Sequence, residues 1–263
     1  MKLQSMKLRT AAIAVALSLT CAIAARAERP SYFSPSAVDA IKLLPGFPAA
    51  DSDEAHEELL LMRVMQRHRT EEQVARCESE VNLSVDAFKS VLGPWCTSDN
   101  LPQLSKLFKA LAKDSKPFSD AAKDHFKRPR PAKEDPQIHV PIKNETTYAY
   151  PSGHSTRGTM YALILAELAP AHREALLDRG REIGWDRVVA GLHHPSDIYG
   201  GRVFGQALAE SLLADPKFKD ELAVLKKELA DAEAHAKPAE HAADPNSPTH
   251  AGHHAAEPAG AAR

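Results

Sequence analysis

The chain has 263 residues, 43% of them hydrophobic, with 33 Lys+Arg set against 35 Asp+Glu. A formal charge of −2 excludes a protein that binds nucleic acid through bulk charge, and 26% charged residues with a mean hydropathy of −0.36 exclude a polytopic membrane protein. Three cysteines, Cys21, Cys77 and Cys96, are too few for a disulfide-built scaffold and form no CxxC pair of the kind that holds zinc.

Lys2, Lys7 and Arg9 precede an apolar or small-residue stretch from Thr10 to Ala25, and Ala25-Arg26-Ala27 fits the small-x-small rule of signal peptidase. Residues 1–27 therefore read as a secretory signal, cleaved after Ala27, which predicts a periplasmic mature protein. The stretch falls short of the about 20 apolar residues that a membrane anchor needs. Export leaves Cys77 and Cys96 in an oxidising compartment. A disulfide between them would close a loop of roughly 20 residues and contribute about 3 kcal/mol; two separate buried thiols are the alternative.

The mature chain reads as helical. Asp51-Ser52-Asp53 opens a helix carrying Leu59, Leu60, Met62, Val64 and Met65, with acids in its first turn as the helix dipole prefers. Thr70-Glu71-Glu72-Gln73 has the capping-box form. Leu104, Leu107, Phe108 and Leu111 recur at helical spacing, and a further helix is predicted from Ser119 toward Lys127. Residues 132–149 are rich in Pro and polar groups and read as a long surface connection. Helical pattern resumes after Ser152 and runs through Leu168 to the break at Pro170. Leu176, Leu177, Gly180, Ile183 and Gly184 then share a face on which the glycines admit a close neighbour. Asp215-Pro216 is an N-cap with Pro at N1, and Phe218, Leu222, Leu225 and Leu229 give the last helix its apolar stripe. The expected fold is all-α, a single compact bundle of seven or eight helices over residues 28–230. Residues 231–263, rich in Ala, Pro, Glu and His, read as a disordered tail. Its five histidines suit zinc, nickel or copper, but a solvated extension is the plainer reading.

Three clusters carry chemistry. In the first, Lys123 and Arg130 stand seven residues apart, about two helical turns, so both cations could reach one side and hold an anion such as phosphate. Pro131 biases Arg130 away from helical geometry, toward a helix end. In the second, Pro151-Ser152-Gly153-His154 precedes a helix whose first N–H groups, with the Ser152 hydroxyl, make an anion site. His154 beside it is placed for proton transfer. In the third, Arg187 adds a cation, and His193 meets Asp197 four residues on if that turn is helical. A carboxylate on one imidazole nitrogen fixes the tautomer and frees the other nitrogen to attack. His194 reads as only a neighbour. Taken singly, each cluster is also compatible with solvated charge or a capped helix start; together they make a phosphoryl-transfer set. They hold neither a carboxylate cluster for magnesium nor a cysteine phosphate loop.

The succession Lys-x6-Arg-Pro, Pro-Ser-Gly-His and Arg-x5-His-x3-Asp resembles the type 2 phosphatidic acid phosphatase superfamily, which also includes vanadium haloperoxidases. Lys123-Asp-His-Phe, Arg130-Pro131 and Tyr150-Pro-Ser-Gly-His154 resemble most the secreted class A bacterial non-specific acid phosphatases, over Leu43 to about Gly205. The resemblance implies an all-α fold and hydrolysis of small phosphate monoesters through a covalent phosphohistidine, without metal or other cofactor. Lys123, Arg130, Ser152, Gly153 and Arg187 would hold the phosphate oxygens. His193 would be the nucleophile, oriented by Asp197, and His154 would protonate the leaving alcohol and then activate water. One departure is Asp186, where the family has Ser before the arginine; helical geometry should turn it away from Arg187. A vanadium haloperoxidase, or a periplasmic anion- or metal-binding protein without catalysis, are the competing functions. No nucleic-acid partner and no stable membrane insertion are expected, and a homo-oligomer stays open.

Overall fold

The computed structural model describes residues 31–34 and 36–241, the side chains of residues 237–241 aside. The expected secretory signal, with Cys21, lies outside the described residues, as does the chain beyond His241. The described residues form no strand and ten α-helices, linked by two short 3-10 turns. They are α1 (Ala40–Leu43), α2 (Asp53–His68), α3 (Glu71–Ser79), α4 (Lys89–Leu92), α5 (Pro102–Phe126), α6 (Pro131–Glu134), α7 (Gly153–Leu168), α8 (Arg173–Val189), α9 (Pro195–Ala214) and α10 (Pro216–His241). Three are single turns, so seven longer helices build the bundle. No helix among the described residues is long and apolar enough to cross a membrane.

Helix starts follow their caps. The Ser52 hydroxyl accepts from the Ala55 amide, and Thr70 with Gln73 forms the full capping box. At the centre, α7 packs against both α8 and α9, and α8 also meets α3. Helix α7 is buried nearly all round, with Met160, Tyr161, Ile164 and Leu165 in the core, as an interior helix must be. The Tyr161 ring stacks on Phe108 of α5 at 3.9 Å, and its O–H donates to the Phe108 carbonyl at 2.7 Å. Gly180 lets α8 close on α7, since a Cβ there would lie 2.7 Å from the Ala162 Cβ.

Three expectations change. The two helices foreseen between residues 102 and 127 are one, α5, which runs straight through Pro117. Proline forfeits a backbone donor and crowds the preceding turn, but Leu104, Leu107, Phe108 and Leu111 before it and Ala122 after it are all buried and hold both halves in the same core. The tail does not begin at Asp231: α10 continues to His241, because Ala-rich sequence favours helix and Leu229 and Ala232 still pack on the core. Cys77 and Cys96 are not bridged. Cys77, on α3, donates to the Asp186 carbonyl at 3.2 Å in a cluster with Ile142, Val189 and Leu192. Cys96 lies in the main core, donating to the Val85 carbonyl at 3.6 Å. Burial pushes these thiols up to about 11 and about 12, which keeps them protonated and unreactive.

Candidate active site

The third cluster is shaped by the end of α8. Gly191 takes a left-handed conformation (φ 75°), which reverses the chain so that the amides of Leu192 and His193 both donate to the Arg187 carbonyl, at 2.9 and 3.3 Å. The spacing between Arg187 and His193 is thus set by one helix-terminating turn. Helix α9 begins at once with Pro195, and Asp197 in its first turn accepts from the His194 amide at 2.9 Å. That places the Asp197 carboxylate against His193 Nδ1 at 3.2 Å, so the expected pair forms across the helix start.

The chemistry of the partners assigns the His193 tautomer. A carboxylate only accepts, so Nδ1–H donates to Asp197; Nε2 then carries a lone pair and accepts from Arg130 Nη1 at 3.0 Å. Burial and the positive charge of Arg130 hold His193 down at about 4, so its imidazole is uncharged at neutral pH. Burial would raise the Asp197 carboxyl, but hydrogen bonds from His193 and His194, and the charge of Arg128, hold it well below the usual range.

Lys123 and Arg130 do converge, though not as two turns of one helix. Helix α5 ends at Phe126 with Lys127 left-handed (φ 51°), and Arg130 is extended ahead of α6. Both cations instead grip the same strip of backbone. Lys123 Nζ donates to the carbonyls of Tyr148 and Ala149, and Arg130 Nε to that of Thr147 at 2.8 Å. Burial and the nearby Arg130 charge push Lys123 down to about 8. The remaining Arg130 donors go to the Leu192 carbonyl at 2.9 Å, Thr147 Oγ1 at 3.0 Å and Glu145 Oε2 at 2.6 Å.

The second cluster opens α7. Ser152 is fully buried; its amide donates to the Asp197 carbonyl at 3.0 Å, and its Oγ accepts from the Ser155 amide at 3.4 Å. Gly153 begins the helix, where the first N–H groups have no intrahelical acceptor. His154 Nε2 lies 3.1 Å from the Glu80 carbonyl and 3.3 Å from that of Val81, which makes it the protonated nitrogen. Nδ1 is left for proton traffic, with Glu145 Oε1 3.8 Å away. Burial, Arg157 and Arg187 hold His154 down at about 3. Arg187 is wholly buried, donating from Nη2 to the Cys77 carbonyl at 2.8 Å and to Glu80 at 3.1 Å. Its Nε is the one buried side-chain nitrogen or oxygen without a partner among the described residues.

Several contributors escape the sequence. Arg128, one residue from a proline that precedes Arg130, is buried and binds Asp197 Oδ1 at 2.7 Å, Glu58 at 2.7 Å and Ser196 at 2.6 Å. Its guanidinium lies 4.6 Å from the centre of the Phe47 ring. His194 is more than a neighbour: Nδ1 lies 3.2 Å from Asp197 and Nε2 2.9 Å from Glu134. Burial opposes its charge, yet the hydrogen bonds to two carboxylates win and raise it above the ordinary histidine value. Glu80 sits between Arg179 and Arg187, and burial with the nearby Asp186 charge lifts it to about 7. Asp186 turns away from Arg187, as expected, and takes Arg76 through both oxygens at 2.6 and 2.8 Å.

A buried, neutral imidazole whose Nε2 faces the Arg130 guanidinium, a second imidazole at the start of α7 and three cations is the layout that the sequence motifs announce. Residues 108–218 match the PAP2 superfamily, and that span contains every catalytic and phosphate-holding residue named from the motifs. These residues form a PAP2 superfamily domain. Along the wider chain, a non-specific acid phosphatase of Providencia stuartii is 29% identical over 206 residues, covering 74% of this chain and 82% of that protein. An acid phosphatase of Zymomonas mobilis is 34% identical over 136 residues, 50% of this chain and 52% of the relative. A non-specific acid phosphatase of Salmonella typhimurium is 32% identical over 149 residues, 55% and 60% of the two chains.

Proposed function

We propose that this PAP2 protein is a broad-specificity acid phosphatase that hydrolyses small phosphate monoesters through a phosphohistidine. The observation that carries the reading is the His193 ring, anchored on Asp197 through Nδ1 while Nε2 offers its lone pair beside the Arg130 guanidinium. An ester phosphate held there by Lys123, Arg130, Arg187, the Ser152 hydroxyl and the Gly153 amide presents phosphorus to Nε2. The buried, unpartnered Arg187 Nε gains an acceptor in that complex. Nε2 bonds to phosphorus as the bond to the ester oxygen breaks, and that oxygen takes the proton from His154 Nδ1. Water then attacks phosphorus and yields a proton to His154; the phosphorus–nitrogen bond breaks and its electron pair returns to His193. The cations stabilise the charge on the three equatorial oxygens throughout. The acid phosphatase names of the relatives support the same reaction. The leader pattern in residues 1–27 supports export to the periplasm, which fractionation of cells expressing the full chain tests directly.

The mechanism is tested with p-nitrophenyl phosphate in the presence of a chelator. Wild type should release phosphate and form an acid-labile phosphoenzyme, and His193→Ala should lose both, with turnover down about ten-thousandfold. A labelled His193→Ala protein would overturn the nucleophile assignment. The pH profile is a second check. His193 must be uncharged, which holds above its value of about 4. His154 must be protonated; the phosphate anion offsets the Arg157 and Arg187 charges that hold it at about 3, so its value rises in the complex. Turnover therefore peaks at acidic to near-neutral pH and falls as pH climbs past the raised His154 value. A rate still increasing at strongly alkaline pH would contradict this order of protonation.

A further inference from the structure

Glu145 takes no part in the hydrolytic scheme, yet its carboxylate lies between two groups that the scheme needs. Oε2 accepts from Arg130 Nη2 at 2.6 Å, and Oε1 lies 3.8 Å from His154 Nδ1. Those partners come from different elements, Arg130 from the turn before α6 and His154 from the first turn of α7. The backbone that carries Glu145 is pinned just beyond it: Arg130 holds the Thr147 carbonyl and hydroxyl, and Lys123 the carbonyls of Tyr148 and Ala149. Its neighbours Lys143, Asn144 and Thr146 are exposed, and the Glu145 side chain is itself 34% exposed. The carboxylate therefore has room to turn between Arg130 and His154 while the strip behind it stays in place.

The two contacts differ in kind. The Arg130 contact is a hydrogen-bonded ion pair, whereas 3.8 Å is too long for a hydrogen bond and leaves the Nδ1 position open to an ester oxygen. At that range a carboxylate still favours the charged form of an imidazole. His154 needs such help: burial, Arg157 on α7, Arg187 on α8 and His193 across the site oppose its imidazolium, while Glu145 favours it. The Glu80 carboxylate, at the end of α3, is engaged by Arg179 and Arg187. Burial would raise the Glu145 carboxyl, but the Arg130 charge holds it down at about 2, so it stays ionised at the acidic to near-neutral pH of the scheme.

We propose that Glu145 is a positioning residue with two successive partners: without ligand it neutralises Arg130, and once an ester phosphate takes that guanidinium it serves as the counter-ion of protonated His154. The inference rests on the phosphatase reading and adds to it a residue that no motif announces. The exchange gives a carboxylate a use in an anion site, where by its charge alone it would only repel phosphate. Giving up Arg130 costs some binding, and the released charge keeps the acid protonated until the ester oxygen takes its proton.

The test follows turnover of phenyl phosphate against pH in wild type, Glu145→Gln and Glu145→Asp. The alkaline limb of kcat reports the protonated acid in the bound complex. Glu145→Gln removes a negative charge beside His154, so that limb should move to lower pH by about one unit. Above the wild-type limb, kcat should then fall about tenfold, while KM stays level or drops because Arg130 is no longer masked. Glu145→Asp keeps the charge and should bring the limb back toward its wild-type position. A loss of folded protein scales the whole profile without displacing its limb, so it does not mimic the result. A Glu145→Gln limb that coincides with the wild-type one, or a KM that rises, would overturn the exchange of partners and leave the phosphatase reading intact. Failure of wild type to hydrolyse phenyl phosphate would instead remove the reading on which the exchange rests.

Discussion

The surroundings of the two histidines differ in how completely they are partnered. Around His193 both ring nitrogens are engaged, both Asp197 oxygens accept, and Arg128 and His194 in turn reach Glu58 and Glu134. Around His154, among the described residues, Nδ1 has only Glu145 at 3.8 Å, Arg187 Nε is unpartnered, and Arg157 has no carboxylate. The proposed nucleophile is therefore orientated before any ligand arrives, while the side of the proposed acid keeps hydrogen-bonding capacity for an anionic substrate to complete. Preorganisation and reserve occupy opposite walls of one site.

Removing the orienting carboxylate is the strongest way to break the contrast. Asp197→Asn would let His193 adopt the wrong tautomer, and turnover of p-nitrophenyl phosphate should fall on the order of a thousandfold with KM nearly unchanged. Arg128→Leu strikes the same network through stability. It leaves the buried Asp197 and the part-buried Glu58 carboxylates without their shared cation, so denaturant unfolding should show a loss of about 3 kcal/mol. A loss below about 1 kcal/mol would mean that the network is not the tightly coupled unit described. The smallest effect belongs to the other wall. Glu145 accepts from Arg130 and so competes with phosphate for that guanidinium. Glu145→Gln should tighten inorganic phosphate binding by roughly threefold to tenfold by calorimetry, and weaker binding would show that the carboxylate helps to hold the anion.

Much of this division was written locally in the chain. Caps at Ser52 and Thr70, the stripe of α10 and the Pro-Ser-Gly-His start of α7 depend on residues within a turn or two of each other, and they fold as their spacing predicts. The residues that the motifs bring to the site do converge. What stayed hidden is non-local. Glu58, Glu80 and Glu145 reach Arg128, Arg187 and Arg130 from different parts of the chain, and nothing in their immediate sequence distinguishes them from surface acids. Arg128 and Arg130 flank one proline, and only the fold decides which meets Asp197 and which meets His193. The cysteine pair failed for a related reason: export chemistry favours a bridge, but packing carries the two thiols into separate apolar clusters.

The main-chain carbonyls of Glu80 and Val81 fix the protonated nitrogen of His154, whereas the His193 tautomer depends on a side chain. Ordinary side-chain replacement at positions 80 and 81 leaves those two oxygens in the polypeptide, so the His154 tautomer is buffered against genetic drift. The His193 tautomer enjoys no such insurance, because exchanging the single residue at 197 suffices to undo it.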